Sequence, residues 1–198
     1  MQIENNKEEV PFSYYADLFS KADPAEMSSR LGIPFENGAF QLTLLGKTYT
    51  IPHPVGADAQ FAATLPVQTF LLRYLLEAKT VAWTGEWKTF REMPWGEMYI
   101  TPYTGRVLTR AAYTFSFKLD AFRAAAEKMG AEAVKHGDAG YRFELVDGYQ
   151  MQILVWQGDD EFPPNAQVLY SDNFAEGFAA EDRVVAGDIL ITMIKSNM

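Results

Sequence analysis

A chain of 198 residues with 48% apolar and 14% aromatic side chains has ample material for a core, and its lack of cysteine excludes disulfides, thiolate catalysis, thiolate zinc sites and any Cys-ligated iron–sulfur cluster. The formal net charge of -9, with no basic run to offset it, excludes the phosphate backbone of nucleic acid as a natural partner. The opening Met1–Glu9 is polar and acidic, unlike a signal or transit peptide, and no apolar run approaches the ~18 residues of a membrane helix, so a soluble, cytoplasmic protein away from membranes is expected.

Residues 1–11 read as a flexible, charged leader, followed by a single domain over 12–198. From Pro11 to Leu31, Phe12, Tyr15, Leu18 and Phe19 recur at helical steps. Asp23-Pro24 restarts the helix as N-cap and first-turn proline, and Gly32 ends it. Phe40–Leu44 and Thr48–Ile51 alternate around Leu45-Gly46-Lys47, the pattern of a β-hairpin, and Pro52-His53-Pro54 stops the second strand. Pro66 to Lys79 is the clearest helix. Val67, Phe70, Leu71, Tyr74, Leu75 and Ala78 form one stripe, with Lys79 at the negative end of the dipole.

Trp83 to Pro94 reads as extended, anchored by Trp83, Trp87 and Phe90, and Trp95 to Pro102 as a loop. Two further helices are expected, over Gly105–Phe115 and Asp120–Met129, the second stopped by Gly130. The period then changes to two. Tyr141, Phe143 and Leu145 alternate with Arg142 and Glu144, Asp147-Gly148 turns the chain, and Met151, Ile153 and Val155 continue on the next strand. Val168–Tyr170 reads as a short edge strand, Phe174 and Phe178 as pins for the following loop, and Ala180–Lys195 as an amphipathic helix. Because hairpins and helices do not alternate regularly, the expected fold class is α+β, an antiparallel sheet built from hairpins packed against several amphipathic helices.

Several blocks together resemble a known family. They are Leu72-Arg-Tyr-Leu-Leu, Thr84 to Pro94, Gly137-Asp138, Trp156-Gln-Gly-Asp-Asp-Glu-Phe-Pro163, Leu169 with Asp172, and Glu181-Asp182. From about residue 40 onward the chain resembles a bacterial and archaeal family catalogued as domain of unknown function 3786. The resemblance implies a setting in anaerobic one-carbon and corrinoid metabolism, and some members of that family resemble, or are joined to, iron–sulfur cluster domains. It supplies no catalytic residues.

Candidate chemistry gathers in two stretches. Asp159, Asp160 and Glu161 follow the strand ending in Trp156, with Asp172, Glu181 and Asp182 further on; hard cations such as Mg²⁺ or Ca²⁺ take such carboxylates, although the spacing is not that of an EF-hand. Against this, the same acids serve equally well as turn and helix caps. The second stretch is aromatic: Trp83, Trp87, Phe90, Trp95, Tyr99 and Tyr103, with Glu86 and Arg91, could wall a groove for a planar or anionic molecule or simply pack in the core. His53 and His136 lack metal-ligand spacing and read as exposed loop residues. No serine-nucleophile elbow, phosphate loop or dinucleotide fingerprint is present.

Three functions stay open: an accessory protein binding a small molecule or partner protein, a metal-assisted hydrolase or lyase using Asp159, Asp160, Glu161 and Asp172, and a structural assembly module. The first is favoured, with Asp159, Asp160, Glu161, Trp156, Trp87, Arg91 and Glu86 as binding candidates. It carries a topological expectation. The Trp156 ribbon should bring its three acids to the rim of a hollow walled by Trp83, Trp87 and Arg91.

Overall fold

The computed structural model describes residues 8–56 and 59–198. It is α+β, and every strand pairing is antiparallel. The chain divides into two compact units, one within Met1–Val81 together with Glu176–Phe178, the other Ala82–Ala175 with Ala179–Met198. Among the described residues no helix is long and apolar enough to cross a membrane.

The first unit opens with α1 (Glu9–Lys21), which begins inside the expected leader; residues 1–7 lie outside the described residues. α2 (Pro24–Leu31) forms as its caps dictate. The Asp23 carboxylate accepts the Ala25 amide at 2.9 Å, and Gly32 closes the helix in the left-handed region at φ 69°. β1 (Phe35–Glu36), β2 (Ala39–Leu44) and β3 (Lys47–Pro52) make a three-stranded sheet in that order, turned by Leu45 and Gly46, both at positive φ. Phe40, Leu42, Leu44, Tyr49 and Ile51 face the core, while Gln41, Thr43, Thr48 and Thr50 face out and bond across the strands.

α3 (Leu65–Glu77) buries Phe70, Leu71, Leu72, Tyr74 and Leu75, and Phe178 stacks on Phe70 and Tyr74 with ring centroids 5.2 and 5.4 Å apart. The helix stops at Glu77 with no basic residue in its last turn, and Arg30 serves its negative end from α2. Its guanidinium donates to the carbonyls of Leu75 (2.8 Å), Leu76 (3.1 Å) and Ala78, satisfying acceptors that a helix end leaves orphaned. His53 plays the same part for α1. It is half-buried rather than exposed, and Nε2 approaches the carbonyls of Phe19 (2.9 Å) and Ala22 (3.1 Å) while the ring packs edge-on to Phe19 and Phe35. His136 is exposed, as expected.

The second unit is built on five strands in the order β4 (Trp87–Thr89), β8 (Asn165–Ser171), β7 (Tyr149–Trp156), β6 (Ala139–Val146), β5 (Glu132–Ala133). The β6–β7 hairpin turns at Asp147-Gly148 as expected. β8 differs from expectation. It is not an edge, because β4 pairs along its open side with Trp87 opposite Ser171. Register sorts the residues by face, since directly opposed residues share one. Tyr141, Phe143, Met151, Ile153, Val155, Val168 and Tyr170 form the buried face. The other face carries the row Trp87, Ser171, Gln150, Glu144 and, beside it, the row Thr89, Leu169, Gln152, Arg142, Glu132.

The helices of this unit depart from the sequence reading at two places. Most of the loop expected over Trp95–Pro102 is helical, within α4 (Gly96–Tyr103), followed by a wider helical turn over Thr104–Thr109 and then α5 (Arg110–Phe115). Pro102 removes one amide donor from the run, but burial of Tyr103, Val107, Ala111 and Phe115 outweighs local propensity. α6 (Leu119–Lys128) ends before Gly130 as expected. After the one-turn helix α7 (Phe174–Gly177), α8 (Ala180–Asn197) is not amphipathic. Ten of its residues are buried, Asp182 and Arg183 among them, because it is packed on several sides. Gly187 lets the crossing close, since a Cβ there would meet both Val107 γ-carbons at 2.8 Å.

Arg183 is 1% exposed, and the core of the unit is arranged around it. Its guanidinium lies 5.6 Å from the centroid of Phe90, whose ring stacks on Tyr103 at 3.9 Å, and it donates to the carbonyl of Pro94. The Tyr170 hydroxyl donates to the Arg183 carbonyl at 3.2 Å and stands 3.3 Å from the Tyr103 hydroxyl. Burial pushes both phenols well above their ordinary range and lowers Arg183, so both tyrosines stay neutral.

Candidate functional site: a tryptophan-walled cleft on the sheet

The β7–β8 loop folds on itself. The Asp159 carboxylate accepts the amides of Glu161 (2.9 Å) and Phe162 (2.7 Å), while the Asp159 amide donates to the Phe162 carbonyl at 2.9 Å. Those two amides, Phe162 first, hold the Asp159 carboxyl below its ordinary value. Asp160 and Glu161 are exposed. Asp172 lies beyond the opposite end of β8. Register places Trp156 against Asn165 and Trp87 against Ser171, about 20 Å apart at ~3.3 Å per residue. The acids therefore do not rim a hollow walled by Trp83 and Trp87; the two groups occupy opposite ends of the sheet. Among the described residues no three His, Asp or Glu side chains are placed to hold a metal ion.

The other aromatic candidates also separate. Phe90 and Tyr103 belong to the core around Arg183, and Trp95 and Tyr99 are exposed. Arg91 pairs with Glu97 at 2.9 Å on the surface, with both side chains more than half exposed. Glu181 is exposed and Asp182 buried in the first turn of α8, where the helix dipole favours acids.

A cleft of about 690 Å³ lies at the Trp156 end, bounded by Phe117, Lys118, Asp120, Arg123, Asp138 and Gln157 among others. Arg123, Asp120 and Asp138 are tied into internal bonds. Arg123 donates to the Asp120 carboxylate (2.8 Å) and the Asp138 carbonyl (2.7 Å), and the Asp138 carboxylate accepts the Gln157 amide at 2.7 Å. With the Asp138 amide on the Val155 carbonyl at 2.9 Å, this is a strap that fixes the exit of β7. It accounts for the Gly137-Asp138 block without invoking a ligand: Gly137, at φ 73°, has no room for a Cβ, which would meet the Val155 carbonyl oxygen at 2.9 Å.

The second cleft, about 270 Å³, opens at the other end of the sheet, and its walls are Trp83, Gly130, Glu132, Arg142, Glu144 and Gln150. Its floor comes from three strands, Glu132 of β5, Arg142 and Glu144 of β6 and Gln150 of β7, which share one face of the sheet. Trp83 reaches it from the segment before β4 and packs against Trp87 with ring centroids 5.0 Å apart at 65°. The indole N–H of Trp83 donates to the Glu86 carbonyl at 2.8 Å, across a turn that Gly85 makes at φ 101°. Asp172 secures this turn from β8. Its carboxylate accepts the Thr84 amide (3.1 Å) and hydroxyl, and its own amide donates to the Glu86 carbonyl (3.1 Å). On the opposite wall Arg142 pairs with Glu132, and Glu144 accepts the Gly148 amide (2.9 Å) and the Gln150 side-chain amide (3.4 Å).

A model of the family described as domain of unknown function (DUF3786) matches residues 23–193. The chain belongs to that family. No curated protein and no solved structure matches it. Two of the blocks that carry the DUF3786 resemblance, Thr84–Pro94 and Leu169 with Asp172, meet at the Trp83 turn. Arg142, Glu144, Gln150 and Glu132 do not stand out in the DUF3786 sequence, where they read as the solvated face of a hairpin.

The Asp172 clamp makes the turn sensitive to acid. The Thr84 hydroxyl, with the Thr84 and Asn173 amides, lowers the Asp172 carboxyl below its ordinary 3.8. A group depressed in the folded state stabilises above its unfolded pKa, and that contribution is lost as pH falls through the folded value. Exchange of the Trp83 indole proton is thus expected to be protected at pH 6 and to lose that protection below pH 3.8. Asp172→Ala should exchange about five-fold faster at pH 6, the effect of losing an ordinary hydrogen bond. NMR exchange of the indole signals checks this, and equal rates in the two proteins would refute the clamp.

Proposed function

We propose that this chain is a cytoplasmic accessory protein that binds a small molecule in the Trp83 cleft and performs no chemistry of its own. The observation that carries the reading is the composition of one concave surface: the Trp83 indole, backed by Trp87, on one wall, an ion pair and a carboxylate–amide pair on the other. A few placed polar groups beside an aromatic wall suit recognition. A compact volume favours a metabolite or a head group over a large cofactor. Metal-assisted hydrolysis has no comparable support, since Asp159 caps its own loop and Asp172 holds the Trp83 turn.

The test is thermal unfolding of the full chain against fractions of a small-molecule cell extract. At a ligand concentration near 100 Kd the stabilisation is ~2.7 kcal/mol, a shift of several degrees. A fraction that shifts the wild-type protein should leave Trp83→Ala unmoved. A shift that persists in Trp83→Ala, or no active fraction at all, counts against this site.

A further inference from the structure

The groups that would hold an anion in the Trp83 cleft are already engaged. The Trp83 indole N–H is committed to the Glu86 carbonyl, so the ring offers a ligand its π face rather than a donor. Arg142, the cation on the cleft wall, is paired with Glu132. The walls hold two carboxylates and one guanidinium, which leaves Glu144 in excess. Beyond the rim, Glu86 is exposed and Asp172 borders the same turn. Lys88 falls on the other face by register, opposite Tyr170, and pairs with Glu86 at 3.1 Å. The neighbouring Asp147 carboxyl is raised, by burial first and then by the charge of Glu144. The Trp83 indole lines the cleft and is buttressed by Trp87 at 65°, and the electron-rich ring face attracts cations.

We propose that this cleft binds an organic ammonium group, a substituted amine or quaternary nitrogen, held between the Trp83 indole face and the Glu144 carboxylate. The proposal rests on the reading of the cleft as a ligand site and gives that ligand its charge. Ammonium selectivity then arises from three features: a π wall, an acid with no cationic partner among the described residues, and a volume that admits a head group.

The test uses three probes of one shape and different charge: choline, its neutral carbon isostere 3,3-dimethylbutan-1-ol, and the anion 3,3-dimethylbutanoate. Each is titrated into the full chain at constant ionic strength, and the Trp83 and Trp87 indole NMR signals are followed. Choline is expected to shift both saturably, with a Kd about tenfold below that of the neutral alcohol. The anion should shift neither. Glu144→Gln, an exposed replacement that leaves the fold intact, should bring choline down to the level of the alcohol, and Trp83→Ala should abolish the response. Equal or tighter binding of the alcohol or the anion overturns the ammonium assignment and leaves the ligand site standing. Silence from all three probes also overturns it, and the extract experiment then judges the ligand site separately.

Discussion

Arg183→Ala is expected to destabilise the second unit by about 3–5 kcal/mol, because it removes a buried cation and leaves its surroundings without compensation. The guanidinium is 1% exposed, is stacked near Phe90 and donates to Pro94, and Asp182 beside it is 5% exposed. Truncation opens a cavity under the Phe90–Tyr103 stack, frees the Pro94 carbonyl and strips the nearby Asp182 of a favourable charge. Urea unfolding followed by tryptophan emission measures this in the right place, since Trp83, Trp87, Trp95 and Trp156, the four tryptophans of the chain, all belong to the second unit. Arg183→Met keeps the stem and its packing, and should recover part of the loss. A midpoint for Arg183→Ala within error of wild type would remove Arg183 from the centre of this core.

Gly96→Ala is expected to cost about 3 kcal/mol or more, the upper end of what overpacking does. A Cβ at residue 96 would stand 2.0 Å from the Phe90 carbonyl oxygen, 2.9 Å from its carbon and 3.0 Å from the Arg91 Cα. All three are backbone atoms, so no rotamer change relieves the contact. The Phe90–Glu92 turn must move, and Phe90 with it, out of its stack on Tyr103. Gly105→Ala is the control. Nothing lies within 4 Å of its Cβ position, and alanine in that helical run should be neutral or stabilising by up to ~1 kcal/mol. The same urea experiment compares them. Equal midpoints for the two variants would mean that the turn is more compliant than its geometry indicates.

Much of the fold is legible in the chain because local chemistry and long-range packing agree. Asp23-Pro24 and Gly32 bound α2, Leu45-Gly46 and Asp147-Gly148 turn their hairpins, and the stripe from Phe70 to Leu75 is buried. Where they disagree, the sequence misleads. Gly96 and Pro102 resemble loop punctuation, yet Gly96 is there for a close backbone approach and Pro102 is carried by a buried helix. Asp182 and Arg183 resemble the wet side of an amphipathic helix and are buried.

The candidate site is harder to see for a topological reason. Trp83, Glu86 and Trp87 are neighbours in the chain, but Arg142, Glu144 and Gln150 meet Trp83 only through the strand order β4-β8-β7-β6, which no local pattern encodes. Three consecutive acids attract attention by adjacency, whereas Asp159 closes its own turn and its neighbours face solvent.

The pairing of β4 with β8 also dictates when this wall can exist during synthesis. Thr84 and Asp172 are 88 positions apart, so the indole turn has no anchor until β8 has left the ribosome. Closing so long a loop is slow relative to making the β6–β7 hairpin. The cleft is therefore among the last features of the second unit to mature, after β4 and β8 have met.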